Sequence, residues 1–300
     1  MAAGITKEEA MQRDHALSFL VLVVCALLVS SAAPASDGRI PVYQATTITA
    51  PGAYYLTQDI SIASGYGITI QAHGVTLDLD GHSLLLSAGC SGVYASGWNH
   101  IRITNGKISG GAYGINLYNS TDVQVDHLVC SGQSAIGIHI AQGSSGTPVT
   151  ATVEACSVNV PSTATHGIDF EYVSGGRIVG NSVSGSMIYL GNTNETMVSD
   201  NTVFASGGNG IELVSSSNAN WINHNTVADN TGYGIVLYNS VHNSLDRNLA
   251  ARNGVSASKE GILFGSGASG NIYSFNRCEG NGAAGIAGTA GNINGGGNIP

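Results

Sequence analysis

The sequence is short of charge. Charged residues make up 10% of its 300 positions, against roughly 25% in an average soluble domain. Lysine is nearly missing, with Lys7, Lys107 and Lys259 the only three. With ten basic against nineteen acidic residues, the formal net charge is −9. That balance argues against nucleic acid and anionic membrane surfaces as partners, since both are bound through basic clusters. Six prolines exclude collagen and proline-rich disorder. No CxxC and no Cys/His spacing of metal-site type occurs, so neither a metal nor a cofactor is expected.

Long apolar runs are also lacking. The longest, Ala16 to Val29 with only Ser18 interrupting it, has fourteen residues, short of the ~20 that span a bilayer. Arg13 and His15 precede it, and Ala33-Pro34-Ala35 follows as a small-x-small cleavage site. Residues 1–35 are therefore read as a signal peptide, which places the mature chain outside the cytoplasm and off the membrane. The mature chain keeps eight basic and sixteen acidic residues, so its acidity does not depend on the leader. Export permits disulfides among Cys90, Cys130, Cys156 and Cys278; buried thiols filling a core are the other reading.

What the chain has in abundance is glycine, 42 residues, and it is periodic. Gly-Ile or Gly-Val pairs begin at Gly67, Gly92, Gly114, Gly137, Gly167, Gly210, Gly234, Gly261 and Gly285, with Met187-Ile188 filling the one gap. The spacing averages about 24 residues, a period that marks a repeat architecture. Each pair opens a segment with period-two alternation, as in Gly114-Ile115-Asn116-Leu117-Tyr118. A second run lies about nine residues before most of the glycines, as in Ile178–Val183 and Ile222–Val227. One 24-residue unit cannot bury its apolar side alone, but stacked units pair equivalent strands in parallel around one continuous core. Asn181, Asn201, Asn225, Asn248 and Asn276 fall once per unit at a turn, where stacked amides would bond along the axis. Glycine is expected here for the tight turn ahead of each strand. The fold class is thus all-β: a single-stranded, right-handed parallel β-helix of about ten coils.

The segments Tyr113-Gly114-Ile115-Asn116-Leu117-Tyr118-Asn119-Ser120 and Tyr233-Gly234-Ile235-Val236-Leu237-Tyr238-Asn239-Ser240, with Pro51–Leu56 and Val75–His82 ahead of them, resemble the right-handed parallel β-helix superfamily that includes pectin lyases, in its NosD-like branch. The resemblance covers roughly residues 42–290 and implies the same fold. The expected organisation is a signal peptide at 1–35, a cap and first strands at 36–66, the β-helix at 67–290 and a Gly-rich tail at 291–300.

Outward positions of the Gly-led strands gather polar residues on one face. His139, Asp169, Glu171 and Glu212 are candidate acid/base groups, with His166 at the rim. Tyr94, Asn116, Tyr118 and Tyr189 are candidate substrate-binding residues, aromatic rings covering sugar faces while polar groups hold hydroxyls. By strand geometry Asp169 and Glu171 stand roughly 6.5–7 Å apart and Asp169 and Glu212 roughly 9.5 Å, near the range of an inverting carboxylate pair. Asp78, Asp80 and His82 read as turn residues. The catalytic motifs of polygalacturonase-like, pectate-lyase-like and alginate-epimerase-like members are all missing, so the resemblance transfers no catalytic residue. NosD-like proteins are associated with maturation of a periplasmic copper enzyme, which repeats alone do not establish here. The expected function is polysaccharide binding or processing, by hydrolase or lyase chemistry if it is catalytic. The alternative is a non-catalytic scaffold or NosD-like accessory factor. The oligomeric state is not fixed by the sequence.

Overall fold

The computed structural model describes residues 38–143 and 149–300. The segment read as a signal peptide lies outside the described residues. Contacts divide the chain after Arg39, and the unit Ile40–Pro300 is the one described below.

This unit is a parallel β-solenoid in which every coil contributes up to three short strands, one to each of three faces. The first face stacks the Gly-led strands, eleven in all, from Thr46–Ile48 through Tyr113–Tyr118, Ile136–Ala141, His166–Glu171, Ile188–Gly191 and Ile211–Val214 to Ile286–Ala287. Each strand is hydrogen-bonded only to its counterparts one coil before and after, all in parallel. The run expected as one second strand is in fact two. Arg177–Val179 and Ser182–Ser184 lie on the second and third faces, with Gly180 and Asn181 making the corner. Two longer strands, Ile101–Gly110 and Val123–Ser131, run through that corner and join the second and third faces into one twenty-stranded sheet.

Alternation decides what goes inside. In the first-face strands Ile115, Ile138, Ile168, Ile188, Ile211 and Ile235 form one fully buried column, and Leu117, Ile140, Phe170, Leu190, Leu213 and Leu237 a second. Val153, Ile178, Val198, Ile222 and Leu245 answer them from the second face. No single coil could shield these side chains; stacking removes all of them from water. Cys90, Cys130, Cys156 and Cys278 are buried free thiols. Burial raises all three thiols at Cys130, Cys156 and Cys278, the last two to about 12, so they behave as small apolar core residues.

The corners are held by asparagine. The expected ladder runs Asn181, Asn201, Asn225, Asn248, Asn276 and on to Asn298, each side-chain amide donating to the next Oδ1 at about 3.0 Å. Two further ladders occupy the other corners: Asn220–Asn243–Asn271–Asn292 and Asn230–Asn253–Asn281. Each amide also donates to a backbone carbonyl one coil back, as Asn225 does to Val198 at 2.8 Å. Buried turn backbone is thereby satisfied without water.

The repeat glycines do a different job from the one expected. None of Gly92, Gly114, Gly137, Gly210 or Gly234 has a positive φ. A Cβ at Gly92 or Gly114 would instead sit 2.6 or 2.5 Å from the carbonyl oxygen of the equivalent glycine one coil on. Glycine here permits close approach of successive coils, not a turn conformation.

Pairing begins at Ile40–Val42, which bonds to Tyr54–Leu56, so the expected cap region already belongs to the stack. At the other end Ile293–Gly296 pairs with Ile272–Ser274 across a register shift, and Arg277 bridges Ile299. The Gly-rich tail therefore carries a strand.

Candidate active site on the first face

The register places the outward residues in one row. Tyr94, Asn116, His139, Asp169, Tyr189, Glu212, Val236 and Leu263 are successive Cα partners, coil by coil. Two residues further along each strand, Tyr118, Ala141, Glu171, Gly191 and Val214 form a parallel row. Asp169 and Glu212 are two coils apart with Tyr189 between them, and Asp169 and Glu171 share one strand face.

The row is not evenly open to water. His139 is 8% exposed and Asp169 only 2%. His139 lies between Asn116, whose Oδ1 is 3.1 Å from Nδ1, and the rings of Tyr113 and Tyr118 at 6.0 and 5.7 Å. Burial lowers the affinity of His139 for a proton, Asp169 opposes that and His166 adds to it; the net shift is downward. His166 reaches forward along its own strand and donates from Nδ1 to Asp169 Oδ2 at 2.7 Å. Its ring lies flat against Tyr189, 4.1 Å between centroids and 8° between planes. The other oxygen, Asp169 Oδ1, is enclosed and has no hydrogen-bond partner.

Glu171 and Glu212 stand further out, each half-buried. Burial raises the Glu171 carboxyl, the neighbouring Asp169 raises it further, and His166 pulls it down; the balance is upward. Glu212 accepts a hydrogen bond from Asn209 at 2.8 Å. Burial, with Asp169, Glu171 and Glu212 behind it, pushes the Tyr189 hydroxyl up to about 12. A Cβ at Gly191 would meet the Tyr189 ring at 2.9 Å, so glycine there gives that ring its place.

The four groups around Asp169 are thus brought together: His139, His166, Tyr189 and Glu171. Tyr94 lies three coils from Asp169 and is already stacked on Tyr66, 4.4 Å between centroids, so one face of that ring is taken. The same holds for Tyr189 against His166. Of the residues that precede the repeat glycines, sequence reasoning singled out only His166; Tyr66, Tyr113, Asn209 and Tyr233 stand at the same position of other coils and are also not buried. Their signal was present, since tyrosine or histidine recurs there in four coils. Lys259 lies beside this face: its Nζ sits 5.0 Å over the Tyr233 ring and 3.4 Å from its hydroxyl. Burial, with Tyr233 beside it, raises the Tyr238 hydroxyl to about 12. Asp78 accepts from the backbone of Asp80 and from Asn105, as turn residues do.

Among the described residues, no group of three or more His, Cys, Asp and Glu side chains is placed to hold a metal. His139, Asp169 and His166 come nearest. Yet His166 Nδ1 is committed to Asp169, and His139 Nε2 stays 4.0 Å from the same oxygen. The four thiols are spread through the core, and burial keeps Cys130, Cys156 and Cys278 protonated. Among the described residues no three-donor group for copper is in place.

A three-faced parallel solenoid with polar residues on its Gly-led face defines a β-helix protein of the pectin-lyase-like kind. Residues 66–276 match the family described as Periplasmic copper-binding protein (NosD), and the chain belongs to that family. No curated protein matches the chain significantly. Solved structures share the fold at low identity. A mannuronic acid specific polysaccharide family 6 lyase from human gut microbiota is 10% identical, with a TM-score of 0.53 over 81% of this chain and 73% of the lyase. A double mutant of the periplasmic alginate epimerase AlgG is 16% identical, with a TM-score of 0.51 over 82% of this chain and 66% of the epimerase. The enzymatically active domain of tailspike protein 2 from Bacteriophage CBA120 is 14% identical, with a TM-score of 0.50 over 85% of this chain. The chain spans 41% of that tailspike domain, less than two thirds of its length. These likenesses establish the fold, and membership in a periplasmic family points to an exported β-helix protein.

Proposed function

We propose that this protein binds a polysaccharide along its first face and processes it at the Asp169 patch. The observation that carries the reading is the unbroken register Asn116–His139–Asp169–Tyr189–Glu212, which lines polar groups of acid/base type along one straight sheet face. Coils repeat roughly every 4.8 Å, so the row suits an extended chain better than a compact ligand. Within it Asp169, Glu171 and Glu212 are the acid/base carboxylates, with His139 and His166 assisting; Asn116, Tyr118 and Tyr189, and Tyr94 farther along, contact the chain. That the lyase and the epimerase with this fold act on polysaccharides supports the reading by analogy.

A glycan-array binding and degradation screen with the purified protein tests it. The expected result is binding of an extended glycan, with any turnover abolished by replacing Glu171 and Glu212 together by Gln. Unchanged cleavage in that double variant retires the catalytic version, and binding of no glycan retires the reading. The family match favours a second reading, a periplasmic accessory factor of a copper system; its signature is partner binding without glycan turnover.

A further inference from the structure

The patch around Asp169 holds acceptors that no donor meets. His139 Nδ1 faces Asn116 Oδ1. An amide oxygen only accepts, so the proton sits on Nδ1 and the neutral ring carries a lone pair at Nε2. His166 Nδ1 faces Asp169 Oδ2 at 2.7 Å. The carboxylate accepts, Nδ1 donates, and Nε2 of that ring is bare in the same way. His139 Nε2 lies 4.0 Å from Asp169 Oδ2, too far for a hydrogen bond. Asp169 Oδ1, on a side chain 3% exposed, has no partner. Two imidazole nitrogens in one patch therefore lack a protein donor, beside a carboxylate oxygen enclosed without one. The enclosed Asp169 oxygen carries the desolvation cost of an unmet acceptor, whereas a hydroxyl of a ligand or a water can donate to the imidazole nitrogens.

We propose that the site is a proton-accepting one, in which Asp169 fixes His166 as the Nδ1–H tautomer and His166 takes a proton through Nε2 from a hydroxyl of the bound chain or from a water in its place. The O–H bond breaks, its electron pair stays on oxygen, and an N–H bond forms at Nε2. The imidazolium so made is already hydrogen-bonded to the Asp169 carboxylate that balances its charge. Asp169, taken above as one of the acid/base carboxylates, is on this proposal a positioning residue: it is 2% exposed and acts through His166. Its hydrogen bond fixes the tautomer, and the parallel contact with Tyr189 fixes the plane of the ring. Base and orienting carboxylate stand in the relation that activates a hydroxyl in other hydrolytic sites. The inference rests on the polysaccharide reading only for the source of the hydroxyl.

Nitrogen NMR of the full chain with 15N-labelled histidine, above the pH at which the imidazoles are neutral, tests the assignment directly. His139 and His166 are both expected with Nδ1 protonated and Nε2 bare. Asp169→Asn, whose amide can donate to Nδ1, is expected to switch His166 to the Nε2–H form while leaving His139 as it was. On a glycan the protein degrades, His166→Gln and Asp169→Asn should each lower kcat by about 100-fold or more with KM little changed. Nε2–H on His166 in the unaltered protein, or an unchanged tautomer in Asp169→Asn with native circular dichroism, overturns the proposal. Glycan binding alongside Nε2–H on His166 removes the proton-accepting role alone. The expected tautomers without any glycan bound remove the polysaccharide reading alone.

Discussion

Gly114 and Gly137, on neighbouring coils of the first face, approach so closely that a Cβ on Gly114 would lie 2.5 Å from the carbonyl oxygen of Gly137. Cβ atoms do not reach such distances, and the atom in the way is backbone. Gly114→Ala must therefore spread two coils whose Ile and Leu columns are in contact. Overpacking of this kind costs about 1–3 kcal/mol. The matching control is Gly143→Ala, whose Cβ would make an ordinary 3.6 Å contact with Asn119, and it should fall within about 0.5 kcal/mol of the parent. Urea unfolding of the two variants checks this. Equal stability would show that the coils yield to a methyl group.

The ladder asparagines predict a larger loss. Asn225 donates from Nδ2 to Val198 O and Asn248 Oδ1, and its own Oδ1 accepts from the backbone and the amide of Asn201. Asn225→Ala removes all four bonds and leaves buried partners on the coils before and after it, at about 1–3 kcal/mol for each group left unmet. Asn298→Ala, at the partly exposed end of the same ladder, should cost under half as much because water reaches the freed groups. Comparing the two midpoints in denaturant measures the difference, and equal losses would mean that the ladder gains nothing from burial.

The fold was legible because its information is repeated: ten Ile or Val positions in one register specify one stack, and the structure pairs them as such. One asparagine ladder was legible for the same reason. The other two, at Asn220–Asn292 and Asn230–Asn281, keep nearly the same steps but span fewer coils, with four and three asparagines, so they stand out less in the sequence. Alternation told which residues of the Gly-led strands face outward, and it brought His139, Asp169, Tyr189 and Glu212 into one row. It could not tell how deep Asp169 lies, since that depends on His166 reaching forward along its own strand and Tyr189 closing from the next coil. Nor could it tell why the glycines recur. Their role is a distance between coils, which leaves the same mark on a sequence as a turn.

Copper gives a prediction that separates family membership from donor chemistry. The family is described as copper-binding, whereas the described residues offer no three-ligand group. Purified protein equilibrated with copper and freed of excess should retain well under one equivalent by elemental analysis. One tightly held equivalent, lost in His139→Ala or His166→Ala, would make the Asp169 patch a metal site instead of a proton-accepting one.

Acid should weaken the second face at a definite place. Asp126 is 2% exposed and accepts from Arg102 Nε at 2.8 Å and the second guanidinium nitrogen at 3.0 Å, from Thr104 at 2.6 Å and from His127 at 2.9 Å. Burial by itself would raise this carboxyl, but the hydrogen bonds outweigh it and hold it at about 2. A folded value below the unfolded one of ~3.9 means that the native state binds its proton later. The stabilisation is full above the unfolded value and disappears as the pH falls through about 2. Its size is at most about 2 kcal/mol, because solvent screens the half-exposed Arg102. In urea titrations between pH 6 and pH 2, the gap in stability between the parent and Asp126→Asn should shrink by that amount, mostly below pH 4. A gap that stays constant over the range would show that the charge on Asp126 contributes nothing and that only its shape is needed.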